Sequence, residues 1–341
     1  MKEKRILYLD ALRLVGALAV VVIHLSATGY SEALPGSYEW VVCLSYNALA
    51  RFAVPVFVMI SGAMYLDPGR TVTMDHIFRK TGKMIAVFLA WSVTYALTES
   101  LKEHTLFSGS YFLSVAQKAV TGHYHMWYLY MIAVLYLATP FLRPIAADRK
   151  LLKRFILLAF LLNHAAFLLE MIPGWEDTFA TVTESANLGI FSGFTGYYCL
   201  GYYLHTEHFT KKQTRLIELL SLLLPVAVVA GCTLQMPKLL TSQQMPHIFL
   251  YSAGVFLAFQ KASEWLEQSP LLKDLIGKLA ACSFGVYLVH PAFNFTLRRL
   301  GIYALTFDPL LCVPLCSLLV FAASYGTVRI TKKLPLIKYL T

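Results

Sequence analysis

Apolar residues run along this chain in ten blocks separated by short polar segments: 7–28, 41–66, 84–101, 125–142, 155–171, 187–204, 215–235, 244–260, 277–293 and 309–328. A helix needs about 20 mostly apolar residues to cross the hydrocarbon core of a bilayer. The blocks have that length, although the fourth, fifth, sixth and eighth are short. The pattern therefore predicts an all-α, polytopic integral membrane protein, with about ten transmembrane helices around a polar cavity. Residues 1–341 read as a single transmembrane domain with no soluble domain appended. The longest segment between blocks on the outer side, roughly 102–124, has an amphipathic stretch from Tyr111 to Gln117 that predicts an interfacial helix.

Leu9–Thr28, within the first block, breaks the apolar rule in an informative way. It reads LDALRLVGALAVVVIHLSAT and carries Asp10, Arg13 and His24. Ionisable groups inside a spanning helix are costly and tend to face protein or a wet cavity. Arg13 and His24 are 11 residues apart, about three turns, so they share a face and stand ~16 Å apart along the axis. Asp10 lies one turn before Arg13 and can pair with it. Taken alone, the pair also fits a helix-end ion pair with a snorkelling guanidinium, and His24 also fits an interhelical hydrogen bond.

Charge fixes the orientation. With the N-terminus inside, 22 of the 29 lysines and arginines fall in inner segments and 5 in outer ones; the other two, Arg13 and Arg51, lie within blocks. This bias predicts that both termini are cytoplasmic. It also accounts for the net charge of +10 as topology signals beside anionic membrane lipid, so no nucleic-acid partner is expected. The composition agrees: 57% hydrophobic and 14% charged, with a mean hydropathy of +0.60, is not that of a soluble domain. The basic start runs into the first block without a cleavage site, so it is read as a retained span. The six cysteines form no metal-ligand pattern and are expected as buried free thiols.

Depth then sorts the remaining polar residues. Arg51 falls midway along the second block, too deep to snorkel, and suits contact with an anion or a thioester carrier. His123, His125 and Trp127 stand at the outer mouth of the fourth block, where an interfacial belt is the plainer reading. His290 is placed at the outer end of the ninth block before Pro291, where a structural cap is equally reasonable. Ser61 and Gly62 can serve close helix packing alone. His164, Glu170 and Asn187 are weaker cavity candidates, while His76, His104, His205, His208 and His247 read as solvated loop or edge residues. An imidazole held neutral in a low-dielectric cavity suits a general base that takes the proton of an attacking hydroxyl. Arginine suits a phosphate or an oxyanion.

The Arg13/His24 spacing, RFAVPVFVMISGAMYL in the second block, HMWYLYMIAVLYLATPFLR in the fourth and SFGVYLVH in the ninth together resemble acyltransferase family 3, in order and over nearly the whole chain. Within it the pattern resembles the short forms that O-acetylate enterobacterial common antigen. The resemblance implies a bacterial inner-membrane O-acyltransferase that moves an acyl group, usually acetyl from cytoplasmic acetyl-CoA, to a hydroxyl of an envelope polysaccharide or lipid-linked glycan. It implies Arg13 and His24 as the catalytic pair, with His24 as general base or acyl carrier. Arg51 would fall on the arginine of the second-span motif, and Asp10, Ser61, His125, Trp127, Tyr287 and His290 are candidates for substrate binding. No metal and no tightly bound cofactor are expected. Relatives with this architecture serve in uptake, so a carrier or flippase without chemistry stands as the alternative.

Overall fold

The computed structural model describes residues 5–103, 108–170, 172–185, 193–232, 240–243, 245–334 and 340. Among these there is no strand, and the chain is helical throughout. In chain order the helices are α1 (Leu7–Glu32), α2 (Tyr38–Ala50), α3 (Ala53–Tyr65), α4 (Met74–Glu103), α5 (Gly109–Thr121), α6 (Trp127–Ala147), α7 (Arg149–Leu169), α8 (Glu176–Ser185), α9 (Phe194–Thr206), α10 (Lys211–Cys232), α11 (Pro246–Lys261), α12 (Ser263–Gln268), α13 (Pro270–Ala280), α14 (Ser283–Arg299) and α15 (Pro309–Thr331). Many start where local chemistry satisfies the first free N–H groups. Ser37 accepts from Trp40, Ser108 from Tyr111 and Asp308 from Leu310. Pro246, Pro270 and Pro309 open α11, α13 and α15, where a missing N–H costs nothing.

Five stretches are long and apolar enough to cross a membrane: α1, α2 continued by α3, α6, α7 and α15. The α13–α14 pair makes a sixth if it is taken as one span bent by 58°. The sequence placed one window over 277–293, but the helix breaks at Ala281–Cys282 inside it. Ser283 Oγ turns back to the carbonyl of Ala280 at 2.8 Å, and Lys332 reaches the carbonyl of Ala281. The break thus lies where side chains satisfy the backbone groups it exposes. α9, at 13 residues, falls short of a span; part of its window, 187–192, lies outside the described residues.

α1 is the central element. It packs against α2, α3, α11, α13, α14 and α15, and Leu12, Ala17 and Val21 on it are fully buried. The outer faces of the peripheral helices carry exposed Phe141, Leu223, Val226, Leu315 and Leu318, a surface suited to lipid. α3 and α9 make the closest crossing. An added Cβ at Gly62 would sit 1.8 Å from the carbonyl oxygen of Tyr198, and one at Gly201 would sit 2.0 Å from that of Met59. Only glycine allows this mutual approach of two backbones. Cys43, Cys199, Cys282, Cys312 and Cys316 are buried and free.

Candidate active site

Arg13 and Asp10 pair as their spacing requires, at 2.8 Å. Asp10 is only 3% exposed, and Arg5 from the start of the chain is its second cation. Arg13 also donates to Met64 Sδ on α3 at 3.1 Å. Its guanidinium lines a cavity of about 300 Å³ with Ser61, Tyr65, Lys80, Lys83, Tyr128, Tyr136 and Tyr287 among the walls. Ser61 Oγ donates to the carbonyl of Phe57 at 3.1 Å. Three cations, Arg13, Lys80 and Lys83, thus line a largely aromatic and apolar space near the N-terminal end of α1, the inner cavity in the orientation that the charge pattern predicts. The sequence treated Lys80 and Lys83 only as topology residues. Their cavity role depends on how α4 packs, which spacing along the chain does not reveal.

Three turns further along α1, His24 lines a second cavity of about 190 Å³, with Thr28, His123, Tyr124, Asn294 and Arg298. Its ring stacks on His290 at 5.2 Å and 27° and meets Tyr124 edge-on at 4.9 Å. His125 meets His290 at 5.5 Å and Tyr287 at 5.3 Å. Four histidines from three separate segments therefore gather at one level. The expected single cavity is divided in the structure into these two spaces, with Tyr287 on the wall of the inner one and hydrogen-bonded to the carbonyl of His125 beside the outer one.

The sequence put His290 at a helix end; it lies instead inside α14, and so does Pro291. Proline has no N–H, so it cannot bond to the carbonyl four residues back, which is that of Tyr287. His290 Nδ1 fills that vacancy at 2.7 Å. A carbonyl only accepts, so the Nδ1 atom carries the proton and Nε2 carries the lone pair. That Nε2 atom is buried with no hydrogen-bond partner among the described residues, as is Nε2 of His125.

Arg51 obeys the same proline rule. Pro55 removes the bond to the carbonyl of Arg51, and the long α2–α3 span breaks at Arg51–Phe52. Arg51 is therefore at a turn within the membrane-spanning segment rather than on a continuous helix. Its Nε and Nη2 atoms both donate to Asn47 Oδ1, at 2.9 and 2.6 Å. Asn47 in turn donates to the carbonyl of Ile23 and to Ser26 Oγ, which ties Arg51 to the backbone beside His24. Arg51 and Trp127 line a third cavity of about 330 Å³ with Asn163, Phe194, Tyr197 and Gln243. The Trp127, Phe194 and Tyr197 rings follow one another at 5.6 and 5.8 Å.

Other residues fall elsewhere. His164 packs against Phe160 and Phe249, and its neighbour Asn163 is the one that lines a cavity. Glu170 is half-buried at the end of α7, and Asn187 and His104 lie outside the described residues. His76 and His208 are exposed as expected. His205 is not simply solvated, because its Nδ1 meets the hydroxyl of Tyr8 at 2.5 Å. Nor is His247, whose Nε2 is buried. No group of three or more histidine, cysteine, aspartate or glutamate residues suited to a metal ion occurs among the described residues. Sequence reasoning missed Asn47, Lys80, Lys83 and Glu99, which contacts His123. The prolines four residues after Arg51 and Tyr287 were the legible signals for the two local breaks.

A family model described as an acyltransferase domain matches residues 6–329. No curated protein and no solved structure matches the chain.

Proposed function

We propose a reaction from the premise that the chain belongs to acyltransferase family 3 and is an acyltransferase: it moves an acetyl group from cytoplasmic acetyl-CoA to a hydroxyl of a cell-envelope glycan. The observation that carries this reading is the double duty of α1. Arg13 lines the inner cavity and His24 the outer one, so one rigid helix sets the distance between a phosphate-binding cation and a base. The donor enters the inner cavity, where Arg13, Lys80 and Lys83 bind its phosphates, and its acyl-bearing arm extends along α1 to bring the thioester to His24. The acceptor hydroxyl meets His24 in the outer cavity. The imidazole takes its proton, the oxygen attacks the acyl carbonyl, and the thiolate departs. Around this path the chain forms about ten spans in the bacterial inner membrane, with α4, α10, α11 and the 187–204 window, of which α9 is part, completing the set.

A glycan acceptor is favoured by the third cavity. Aromatic faces of Trp127, Phe194 and Tyr197, the amide of Asn163 and the guanidinium of Arg51 are the groups that stack on sugar rings and bond their hydroxyls. Its size falls within the ~300–1,000 Å³ range of small-ligand sites.

The test uses membranes containing the protein, their native envelope glycan and radiolabelled acetyl-CoA. Label moves to the glycan fraction with the parent chain and falls at least 100-fold with His24→Ala, a loss in the range removed with a general base (~10²–10⁴-fold). Unchanged transfer at normal protein level removes His24 from the mechanism. Label that stays on the donor with the parent chain rejects acyl transfer in favour of a carrier.

A further inference from the structure

Beside the outer cavity, against its lining residue His123, lies a carboxylate that the reading above does not use. Glu99, near the outer end of α4, meets His123 Nε2 at 3.2 Å and is about one-third exposed (35%). His123 Nδ1 is 2.7 Å from His125 Nδ1. Tyr95 stacks flat on the His123 ring at 4.3 Å and 15°, and its hydroxyl is fixed to the carbonyl of Leu288 at 2.8 Å. The His125 end is fixed as well, by the bond from Tyr287 to its carbonyl.

Hydrogen-bond polarity orders this row. An ionised carboxylate accepts, so His123 donates from Nε2 and its Nδ1 is the lone pair. His125 must then donate from Nδ1, which leaves His125 Nε2 as a bare basic nitrogen. It is that atom which is buried without a partner among the described residues. Among the described residues, Glu99 is the carboxylate paired with the histidine cluster.

We propose that Glu99 and His123 form the proton sink of the outer cavity: the proton taken from the acceptor hydroxyl passes through His125 and settles on His123 against the Glu99 carboxylate. The proposal rests on the acyl-transfer reading. Its steps balance. The hydroxyl O–H bond breaks as His24 takes the proton, and the new C–O ester bond forms as the C–S bond breaks. The thiolate leaves with that electron pair and is protonated by water at the inner face. The proton leaves His24 past the His290 ring, which contacts both His24 and His125, to His125 Nε2, and His125 Nδ1–H passes to His123 Nδ1. His123 is then an imidazolium facing Glu99, and it loses the proton to outer water past that part-exposed carboxylate. Glu99 is a positioning residue, because it acts on the hydroxyl only through the histidines.

The titratable groups facing this row are Tyr95 and Glu99 from α4, Tyr124 beside it, Tyr287 and His290 from α14 and His24 from α1. Arg51 is within electrostatic reach of His24. Of these, Glu99 is the group whose charge favours a protonated imidazole.

The experiment measures transfer of label from radiolabelled acetyl-CoA to the glycan fraction of native membranes between pH 4.5 and 9. It compares the parent, Glu99→Gln and Glu99→Asp at matched protein levels. Glu99→Gln is expected to lower kcat on the order of 100-fold, to leave KM for acetyl-CoA within twofold, and to move the acid limb to lower pH, because a neutral amide no longer favours the imidazolium. Glu99→Asp, which keeps the charge, is expected to recover at least tenfold of that loss and the parent acid limb. Glu99→Gln with the parent acid limb and kcat overturns the proposal while leaving acyl transfer standing. An equal loss in both variants with no movement of the limb is the mark of a packing role and also overturns it. If Glu99→Gln fails to accumulate, Glu99→Asp is set against Glu99→Asn with the same two readouts. A parent chain that transfers no label fails at the level of the reaction itself, which separates that failure from a failure of Glu99.

Discussion

Replacing Gly62 by alanine tests the crossing on which the inner cavity depends. The new Cβ would lie 1.8 Å from the carbonyl oxygen of Tyr198, 2.7 Å from its carbon and 3.1 Å from its Cα. Ordinary contact begins near 3.4 Å, so α3 and α9 must separate by about 1.6 Å, the difference between the two distances. The obstacle is backbone, which cannot rotate away as a side chain can. Overpacking a core costs about 1–3 kcal/mol, and an obstacle of this kind belongs at the upper end, ~3 kcal/mol. For 341 residues an unfolding entropy of about 2.1 cal/mol/K per residue gives ~1.4 °C of Tm per kcal/mol, so a fall of ~4 °C is expected in a detergent melt followed by size-exclusion fluorescence. Activity should fall too. Phe57, Ile60, Ser61, Met64 and Tyr65 on α3 all line the inner cavity, and a displacement of ~1 Å in a positioned site can cost about 100-fold. Gly201→Ala, at 2.0 Å from the carbonyl oxygen of Met59, should reproduce both losses. Gly326 on α15 is the control, since nothing lies within 4 Å of an added Cβ there; alanine should raise stability by about 0.5–1 kcal/mol. A Gly62→Ala protein that melts within 1 °C of its parent and turns over normally would refute the reasoning.

Two further outcomes follow from local geometry. Pro291→Ala returns a backbone N–H to compete for the Tyr287 carbonyl now bonded by His290 Nδ1; helix propensity alone favours the alanine by up to ~3 kcal/mol, so the variant should melt no lower than the parent yet transfer label at least tenfold more slowly, and retained turnover would show that this bond does not set His290. Asp148, between α6 and α7, accepts from the N–H groups of Leu151 and Lys150 at 3.1 and 2.8 Å, and these bonds, that of Leu151 first, hold its carboxyl below the ordinary carboxylate value. Its contribution to stability is therefore complete above about pH 4 and is lost as pH falls through the lowered value; the Tm difference between the parent and Asp148→Ala should be constant from pH 6 to 8 and close by pH 3, and a difference that persists unchanged at pH 3 would reject the assignment.

Much of the architecture was legible because a bilayer imposes a one-dimensional rule. Each block of apolar residues must satisfy its own backbone as a helix, and α1, α6 and α15 lie close to their windows. Arg13 and His24 were legible for the same reason: 11 residues on a straight helix fix both face and separation. The breaks were harder. Pro55 and Pro291 can be read from the sequence, but the consequence at Arg51 and Tyr287 depends on which group fills the vacated bond. In one case that is His290 Nδ1, and in the other a turn opens beside Asn47.

By itself, then, the sequence determined a helical membrane chain and a first helix with a cation near one end and an imidazole three turns further along. Only the tertiary structure decided which distant residues meet that helix: Lys80 and Lys83 toward the cation, and His123, His125, His290 and Glu99 toward the imidazole. Helix periodicity determines the direction of a side chain around its own axis. The neighbour it finds is set by how whole helices cross, and at Gly62 and Gly201 by two backbones brought into contact from residues far apart in the chain.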